Sequence, residues 1–108
     1  MTAAAELTMV MKSLADPTRR AVFERIAREG EVAATGLVEG SEVSQPAISH
    51  HLKALRDAGL VTERREGRHV HYRVAPHGLD PLVGWLDHYR TFWRERFEKL
   101  EKLLKEGE

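Results

Sequence analysis

The chain has 108 residues, of which 42% are hydrophobic, with 17 basic and 17 acidic side chains and no cysteine. This length suits one domain with one main core, and the absence of cysteine excludes disulfides, thiolate nucleophiles and thiolate-rich zinc sites. No apolar run approaches the ~18 residues of a membrane span, and the first residues lack a signal-peptide pattern. We therefore expect an unprocessed cytoplasmic protein that does not enter membranes.

The first three predicted helices occupy residues 4–39. Apolar residues at helical spacing predict a first helix over 4–14. Asp16 as N-cap and Pro17 at the first helical position predict a second helix from Pro17 to about Arg28, ended by Gly30. We expect it to bury Ala21, Val22, Ile26 and Ala27. A short third helix is predicted over 33–39, followed by a tight turn over 39–43.

A fourth helix, a hairpin and a long last helix follow. Ser44 caps the fourth helix, which repeats Ile48, Leu52 and Leu55 on one face until Gly59 ends it. Two strand-like segments, 60–64 and 69–74, are joined through a turn at Gly67 and form a wing. An amphipathic helix is then predicted over 79–104.

These elements predict a mainly α fold with a small β-hairpin, a winged helix-turn-helix of order α-α-α-α-β-β-α in a single domain over 1–108. The helix-turn-helix spans 33–59, the wing 60–75, and the last helix, 79–104, serves dimerisation. The middle of the chain is also its basic part, because residues 44–74 carry six Lys or Arg against three Asp or Glu.

A recognition helix over 44–58 and a wing over 61–74 define the candidate DNA-binding residues. Short donors and acceptors on the exposed face of such a helix reach base edges in the major groove, and wing arginines grip phosphates or enter the minor groove. The helix candidates are Ser44, Gln45, Ser49, His50, His51 and Lys53, and the wing candidates are Arg64, Arg65, Arg68 and His69. His51 is ambiguous because it sits beside Leu52 and Leu55. The alternative is that these residues only form solvated faces. For Arg19 and Arg20 we favour that interpretation: they solvate the first turn of the second helix or pair with acids such as Glu24 and Glu39.

Three segments resemble a known family: LADPTRRAVFERIA at 14–27, VSQPAISHHLKALRDAGLV at 43–61 and REGRHVHYRV at 65–74. Together, and in this order, they are similar to the arsenic-repressor (ArsR/SmtB) family of bacterial winged-helix regulators. The resemblance implies a dimeric repressor whose binding to a double-stranded operator is controlled by an effector.

The metal-site motifs of that family are missing here. Ala33 and Thr35 stand where its metal sensors carry a Cys-x-Cys pair, and Asp87 and His88 are adjacent with no second histidine after them. The chain therefore resembles the subgroup without metal sites, and we predict no metal and no cofactor. Such a regulator either responds to a small organic ligand near the aromatic last helix or needs no ligand and represses its own gene. A ligand-lined cavity beside Trp85 or Trp93 would favour the first, and a solid aromatic dimer interface would favour the second.

The apolar stripes on the first and last helices have more surface than a compact core would cover. Pairing with a second copy would bury Leu7, Met11, Leu86, Tyr89, Trp93 and Phe97. A two-fold dimer would place its recognition helices about 34 Å apart and read an inverted repeat. The alternative is that the last helix folds back on its own domain.

Other functions remain as alternatives. A metal-responsive repressor would use His77, Asp87 and His88 across a dimer, and a winged-helix interaction module would not read DNA. No phosphate loop, acid/base pair or activated nucleophile indicates an enzyme.

Overall fold

The computed structural model describes residues 2–107. Its elements in chain order are α1 (Ala3–Ala15), α2 (Pro17–Glu29), β1 (Glu31–Ala33), α3 (Ala34–Val38), α4 (Gln45–Asp57), β2 (Val61–Glu66), β3 (His69–Val74) and α5 (Asp80–Glu106). The predicted mainly helical fold with a small sheet is confirmed.

Side-chain caps begin three of the helices. The Thr2 hydroxyl accepts a hydrogen bond from the Ala5 amide at the start of α1. Asp16 Oδ1 accepts from the Arg19 amide at 2.9 Å and begins α2, as predicted. Ser44 Oγ accepts from the Ala47 amide at 3.3 Å and begins α4. Each cap satisfies an amide that the helix itself leaves without a partner.

The sheet has three antiparallel strands in the order β1-β3-β2. The prediction of a hairpin alone was incomplete, because β1 pairs Val32 with Tyr72 and adds a strand before α3. Residue 33, predicted as helical, belongs to this strand. A strand of three residues is too short for an alternating pattern to mark it, and its partner lies some forty residues away.

One core joins the helices to the sheet. Its most completely buried side chains are Val10, Ile26, Leu37, Leu52, Leu55 and Leu60. The predicted burial of Val22 and Ile26 is confirmed, but Ala21 and Ala27 are exposed and Phe23 is buried instead. The buried face of α2 is therefore turned from the expected one, because the larger Phe23 fills more of the core than either alanine.

The start of α5 is held close to the end of α4. The backbone of Gly78 packs so closely on this region that a Cβ there would lie 2.7 Å from the Gly59 carbonyl oxygen. Leu79 and Leu82 pack against the core, whereas every described residue of α5 after Leu82 is exposed.

The projecting helix makes the molecule elongated. Its radius of gyration is 19.1 Å and its longest extent is 69 Å, whereas a compact chain of this length has a radius of about 13 Å. Most of α5 therefore does not fold back on its own domain. Among residues 2–107, no helix has both the length and the apolarity needed to cross a membrane.

Candidate nucleic-acid interface

The fourth helix has one buried and one exposed face. Ile48, Leu52 and Leu55 are buried against the core. Five of the six helix candidates are exposed: Ser44, Gln45, Ser49, His50 and Lys53. The hydrophobic pattern that predicted this helix therefore also separates its two faces correctly.

Gln45, Ser49 and Lys53 form a line along the exposed face, since residues four apart are neighbours on a helix. Gln45 and Ser49 also line a groove of about 260 Å³ beside α3, together with Thr35 and Glu39. Within residues 2–107 the side chains of Gln45, Ser49 and Lys53 make no hydrogen bond or ion pair. Their polar groups are thus available to an external partner.

His51 lies differently from the other candidates. Its ring is partly buried, and its Nδ1 atom is buried without a hydrogen-bond partner among the described residues. Burial lowers the pKa of His51, and the nearby Asp16 carboxylate opposes that shift. The side chain is therefore directed to the start of α2 and not to the exposed line.

The wing is the hairpin of β2 and β3. Its two-residue loop has Gly67 at a φ of 61° followed by Arg68 at negative φ, the arrangement of a type II′ turn. Val61 and Val32 lie on the side of the sheet that faces the core. Because side chains alternate along a strand, Arg65 shares that side with Val61, and Arg64 and His69 lie on the other.

Arg64 is engaged by two carboxylates. Its Nη2 donates to Glu31 Oε1 of β1 at 2.5 Å, and its Nη1 donates to Glu66 Oε2 at 2.9 Å. These bonds raise the pKa of Arg64 and lower the pKa of Glu31 and of Glu66. Within the described part of the chain, Arg65, Arg68 and His69 form no ion pair.

Another ion pair joins the wing to α4, the recognition helix. Arg56 Nη1 of α4 lies 3.1 Å from Glu63 Oε2 of β2, and the Tyr72 hydroxyl donates to the same oxygen at 3.3 Å. Burial, reinforced by the Glu63 carboxylate, raises the pKa of Tyr72. Sequence reasoning missed both Arg56 and Glu63, because their pairing depends on how α4 packs on the sheet.

Arg25 positions α3. Its guanidinium donates to the carbonyls of Gly36 at 2.9 Å, Leu37 at 3.4 Å and Glu39 at 3.5 Å, while Nε pairs with Glu29 at 2.8 Å. One side chain of α2 therefore satisfies carbonyls at the end of α3, which the helix leaves without partners. Sequence reasoning did not single out this residue.

Of the two interpretations of Arg19 and Arg20, the pairing with Glu24 or Glu39 does not occur among the described residues, and Arg20 is exposed in the first turn of α2. Arg20 Nη1 donates to the Leu14 carbonyl at 2.8 Å, and no ion pair of Arg19 occurs within residues 2–107. The Arg19 Nε atom is buried with no hydrogen-bond partner there. The Glu39 backbone is reached by Arg25, because the chain between α3 and α4 turns back on α2.

The predicted dimer residues lie on surfaces that one chain leaves uncovered. Met11, Leu86, Tyr89, Trp93 and Phe97 are exposed, and Leu7 is partly buried. The aromatic rings contact one another in series along α5, with centroids 5.6 Å apart for the edge-on pair Phe92 and Trp93 and 5.9 Å apart for the tilted pair Trp93 and Phe97. Most of this helix therefore presents apolar area to solvent.

The residues considered for metal binding have other partners. His77 Nδ1 lies 3.0 Å from Asp80, Asp87 pairs with Arg90 at 2.7 Å, and His88 packs edge-on against Tyr89. Between residues 2 and 107, no three potential metal ligands converge.

Comparison with known proteins gives several matches. A family described as "Helix-turn-helix domain" matches residues 14–64. The arsenical resistance operon repressor of Escherichia coli is 41% identical over 96 residues, which cover 89% of this chain and 80% of that protein. The arsenic resistance transcriptional regulator ArsR1 of Pseudomonas putida is 48% identical over 79 residues, covering 73% of this chain and 59% of that protein.

A solved structure covers more of the chain. The ArsR-like transcriptional regulator from Rhodococcus superposes with a TM-score of 0.77 and 30% identity, over 93% of each chain. The match extends well beyond the segment from 14 to 64.

Proposed function

Because this chain belongs to the ArsR/SmtB family of helix-turn-helix transcriptional repressors, we propose that it acts as a homodimer bound to an inverted-repeat operator. It is a DNA-binding regulator and not an enzyme. The observation that carries the proposal is the exposed polar line on α4, which has no protein partner among residues 2–107 and lies next to a hairpin with unpaired arginines. A bacterial regulator that binds an operator acts where the DNA is, so this proposal includes a cytoplasmic location.

In this proposal α4 enters the major groove. Gln45 can pair through two hydrogen bonds with adenine, and Ser49 bonds to a base or a phosphate. The Ser44 hydroxyl oxygen accepts the capping bond, so its hydrogen remains free to donate to a phosphate. His50 and Lys53 extend the same exposed face, with Lys53 reaching the backbone. These contacts would supply the sequence specificity.

The wing supplies backbone or minor-groove contacts in this proposal. Arg68 lies in the loop of the hairpin, and Arg65 lies on the side that meets α4. Both are exposed arginines without an ion pair in the described chain, so phosphates would be their first strong acceptors. His69, beside the loop, can donate a ring N–H to a phosphate. By contrast, Arg64 and His51 have protein surroundings that they would have to leave.

Dimerisation through α1 and α5 would cover the exposed aromatic series. The uncovered apolar side chains of α5 continue to Leu104 near its end, and an apolar surface of this length marks an interaction site in a water-soluble regulator. A two-fold axis through these helices would set the two recognition helices about one helical turn of DNA apart.

A groove between α1 and α5 supports the hypothesis that a small organic molecule is the effector. It measures about 550 Å³ and is lined by Ala3, Ala4, Glu6, Leu7, His77, Asp80, Pro81 and Trp85. This groove is open to solvent and lies beside Trp85, and a molecule seated there would contact both α1 and α5, the helices of the proposed dimer. With Trp93→Phe leaving Trp85 as the single tryptophan, a fluorescence screen of small organic molecules should find ligands that release DNA; ligands that act equally on Trp85→Ala would contradict this site.

The experiment that tests operator binding is a salt series on the intergenic DNA upstream of the gene. We expect tight binding that weakens steeply with salt because bound phosphates release counterions. Gln45→Ala combined with Ser49→Ala should lose specificity, and Arg68→Ala should lose affinity and about 0.9 of the logarithmic salt slope. Lys99→Ala, which removes one charge from α5, is the matched control.

Two outcomes would contradict the proposal. Binding no tighter than to unrelated DNA, together with failure to select any sequence from a random pool, would support the interaction module. Specific binding that appears only with added zinc would support the metal-responsive repressor, in spite of the ion pairs that His77 and Asp87 form with Asp80 and Arg90.

A further inference from the structure

Arg64 connects all three strands of the sheet. It stands on β2, and its guanidinium passes across β3 to reach Glu31 on β1, a residue 33 positions earlier in the chain. The same guanidinium also bonds Glu66 near the hairpin loop. Both bonds are charge-assisted, and each uses a different nitrogen of the planar guanidinium. The fixed, forked arrangement of its N–H donors suits an arginine to binding two carboxylates at once.

His71 lies beneath this bridge. It pairs with Arg64 in the strand register, and its ring nitrogens lie 3.7 Å from Glu31 and 3.8 Å from Glu66. Glu31 and Glu66 therefore each lie close to the His71 ring as well as bonding to Arg64. A phosphate that binds Arg64 would have to displace both carboxylates from its guanidinium.

The bridge and the recognition helix lie on opposite sides of the sheet. Glu63, which alternates with Arg64 along β2, pairs with Arg56 of α4 on the core-facing side. Arg64, Glu31 and His71 occupy the other side. The wing is thus held by one ion-pair group on each side, and Arg64 is turned away from the helix that reads DNA.

We propose that Arg64 is a positioning residue that fixes the direction of the wing relative to α4, and that Glu31, outside the helix-turn-helix and the hairpin, is through it a determinant of operator affinity. The proposal rests on the operator binding proposed above. It assigns Arg64 to the protein's own carboxylates, whereas Arg65 and Arg68 are left to the phosphates.

Removing either partner tests this assignment because the two possible roles of Arg64 predict opposite effects of Glu31→Ala. For a positioning residue, Arg64→Ala and Glu31→Ala should each weaken operator binding about three- to tenfold, the range of an exposed but networked ion pair. The double variant should be no worse than either single one, since both remove the same interaction. Neither should change the salt slope.

Arg65→Ala is the matched control on the adjacent position. It should weaken binding and reduce the logarithmic salt slope by about 0.9, the signature of one lost phosphate contact. Glu31→Gln keeps an acceptor oxygen and should recover part of the affinity that Glu31→Ala loses. A melting temperature close to that of the wild type would separate these effects from unfolding.

Three results would overturn the proposal. A salt slope reduced by about 0.9 in Arg64→Ala, with tighter binding by Glu31→Ala, would show that Arg64 contacts phosphate and that Glu31 competes with it. Unchanged affinity in both variants would show that the bridge does not affect binding. Unchanged amide hydrogen exchange of β1 in Glu31→Ala would show that the bridge does not hold the strand, and this readout remains informative even if the wild type binds no operator.

Discussion

Replacing Trp93 by alanine should break the proposed dimer. Trp93 lies in the middle of the aromatic series of α5 and is 52% exposed in the single chain. Its ring contacts Phe92 and Phe97 of the same helix, and its exposed half is left for a second copy. The substitution removes the indole ring without introducing a charge, and alanine has the highest helix propensity.

The expected loss of dimer stability follows from the exposed area of the Trp93 side chain. A tryptophan side chain offers up to about 250 Å², of which 52% is about 130 Å². At roughly 25 cal/mol per Å², complete covering stabilises the dimer by about 3 kcal/mol per copy and about 6 kcal/mol for the pair. Covering is incomplete and association has its own entropic cost, so we expect the dimer Kd to rise by about two to four orders of magnitude.

Sedimentation equilibrium over a wide range of protein concentration measures this change. Glu95→Ala is the matched control, because residues two positions apart on a helix point to opposite sides. This variant should dimerise as the wild type does. A Trp93→Ala dimer as tight as the wild type would refute the assignment of α5 to the interface. A wild type that stays monomeric at every concentration would refute the dimer altogether.

Two further predictions concern the residues behind the recognition helix. Arg25→Ala should destabilise the protein by about 1–2 kcal/mol, because it leaves carbonyls at the end of α3 without a donor; chemical denaturation measures the loss, Glu24→Ala is the control, and full recovery by Arg25→Lys would contradict a role for the guanidinium fork. Burial lowers the pKa of His51 below its usual 6.5, so the folded state favours the neutral ring. The contribution of His51 to the free energy of unfolding is therefore fully present above pH 6.5 and is lost as the pH drops from 6.5 towards the lowered pKa. Urea unfolding across this range should show the fall in the wild type and a smaller one in His51→Gln; the same fall in both proteins would contradict the assignment to His51.

Local patterns in the sequence were enough to place the helix-turn-helix. Asp16 and Ser44 cap helices through bonds to amides three residues away, and Ile48, Leu52 and Leu55 repeat at helical spacing and are buried. The hairpin was equally predictable, because Gly67 permits the turn between two alternating segments. The exposed candidates on α4 follow directly from that helix having one apolar face.

The interactions of the candidate residues depended on the tertiary structure. Arg64, Arg65 and Arg68 look alike in the sequence, yet only Arg64 is bonded to carboxylates in the described chain. His51 follows His50, but packing against α2 partly buries one and leaves the other exposed. A sequence pattern does not distinguish such neighbours, because their difference is the identity of the surface that each one meets.

The sequence by itself thus determined the helices, their caps, the turn of the wing and the polar face of α4, because each depends on residues within about four positions of one another. The tertiary structure alone decided the third strand, the buried face of α2 and the bridge from Glu31 to Arg64. Those features join residues 33 or more positions apart or depend on which neighbouring elements pack together, so no local spacing records them.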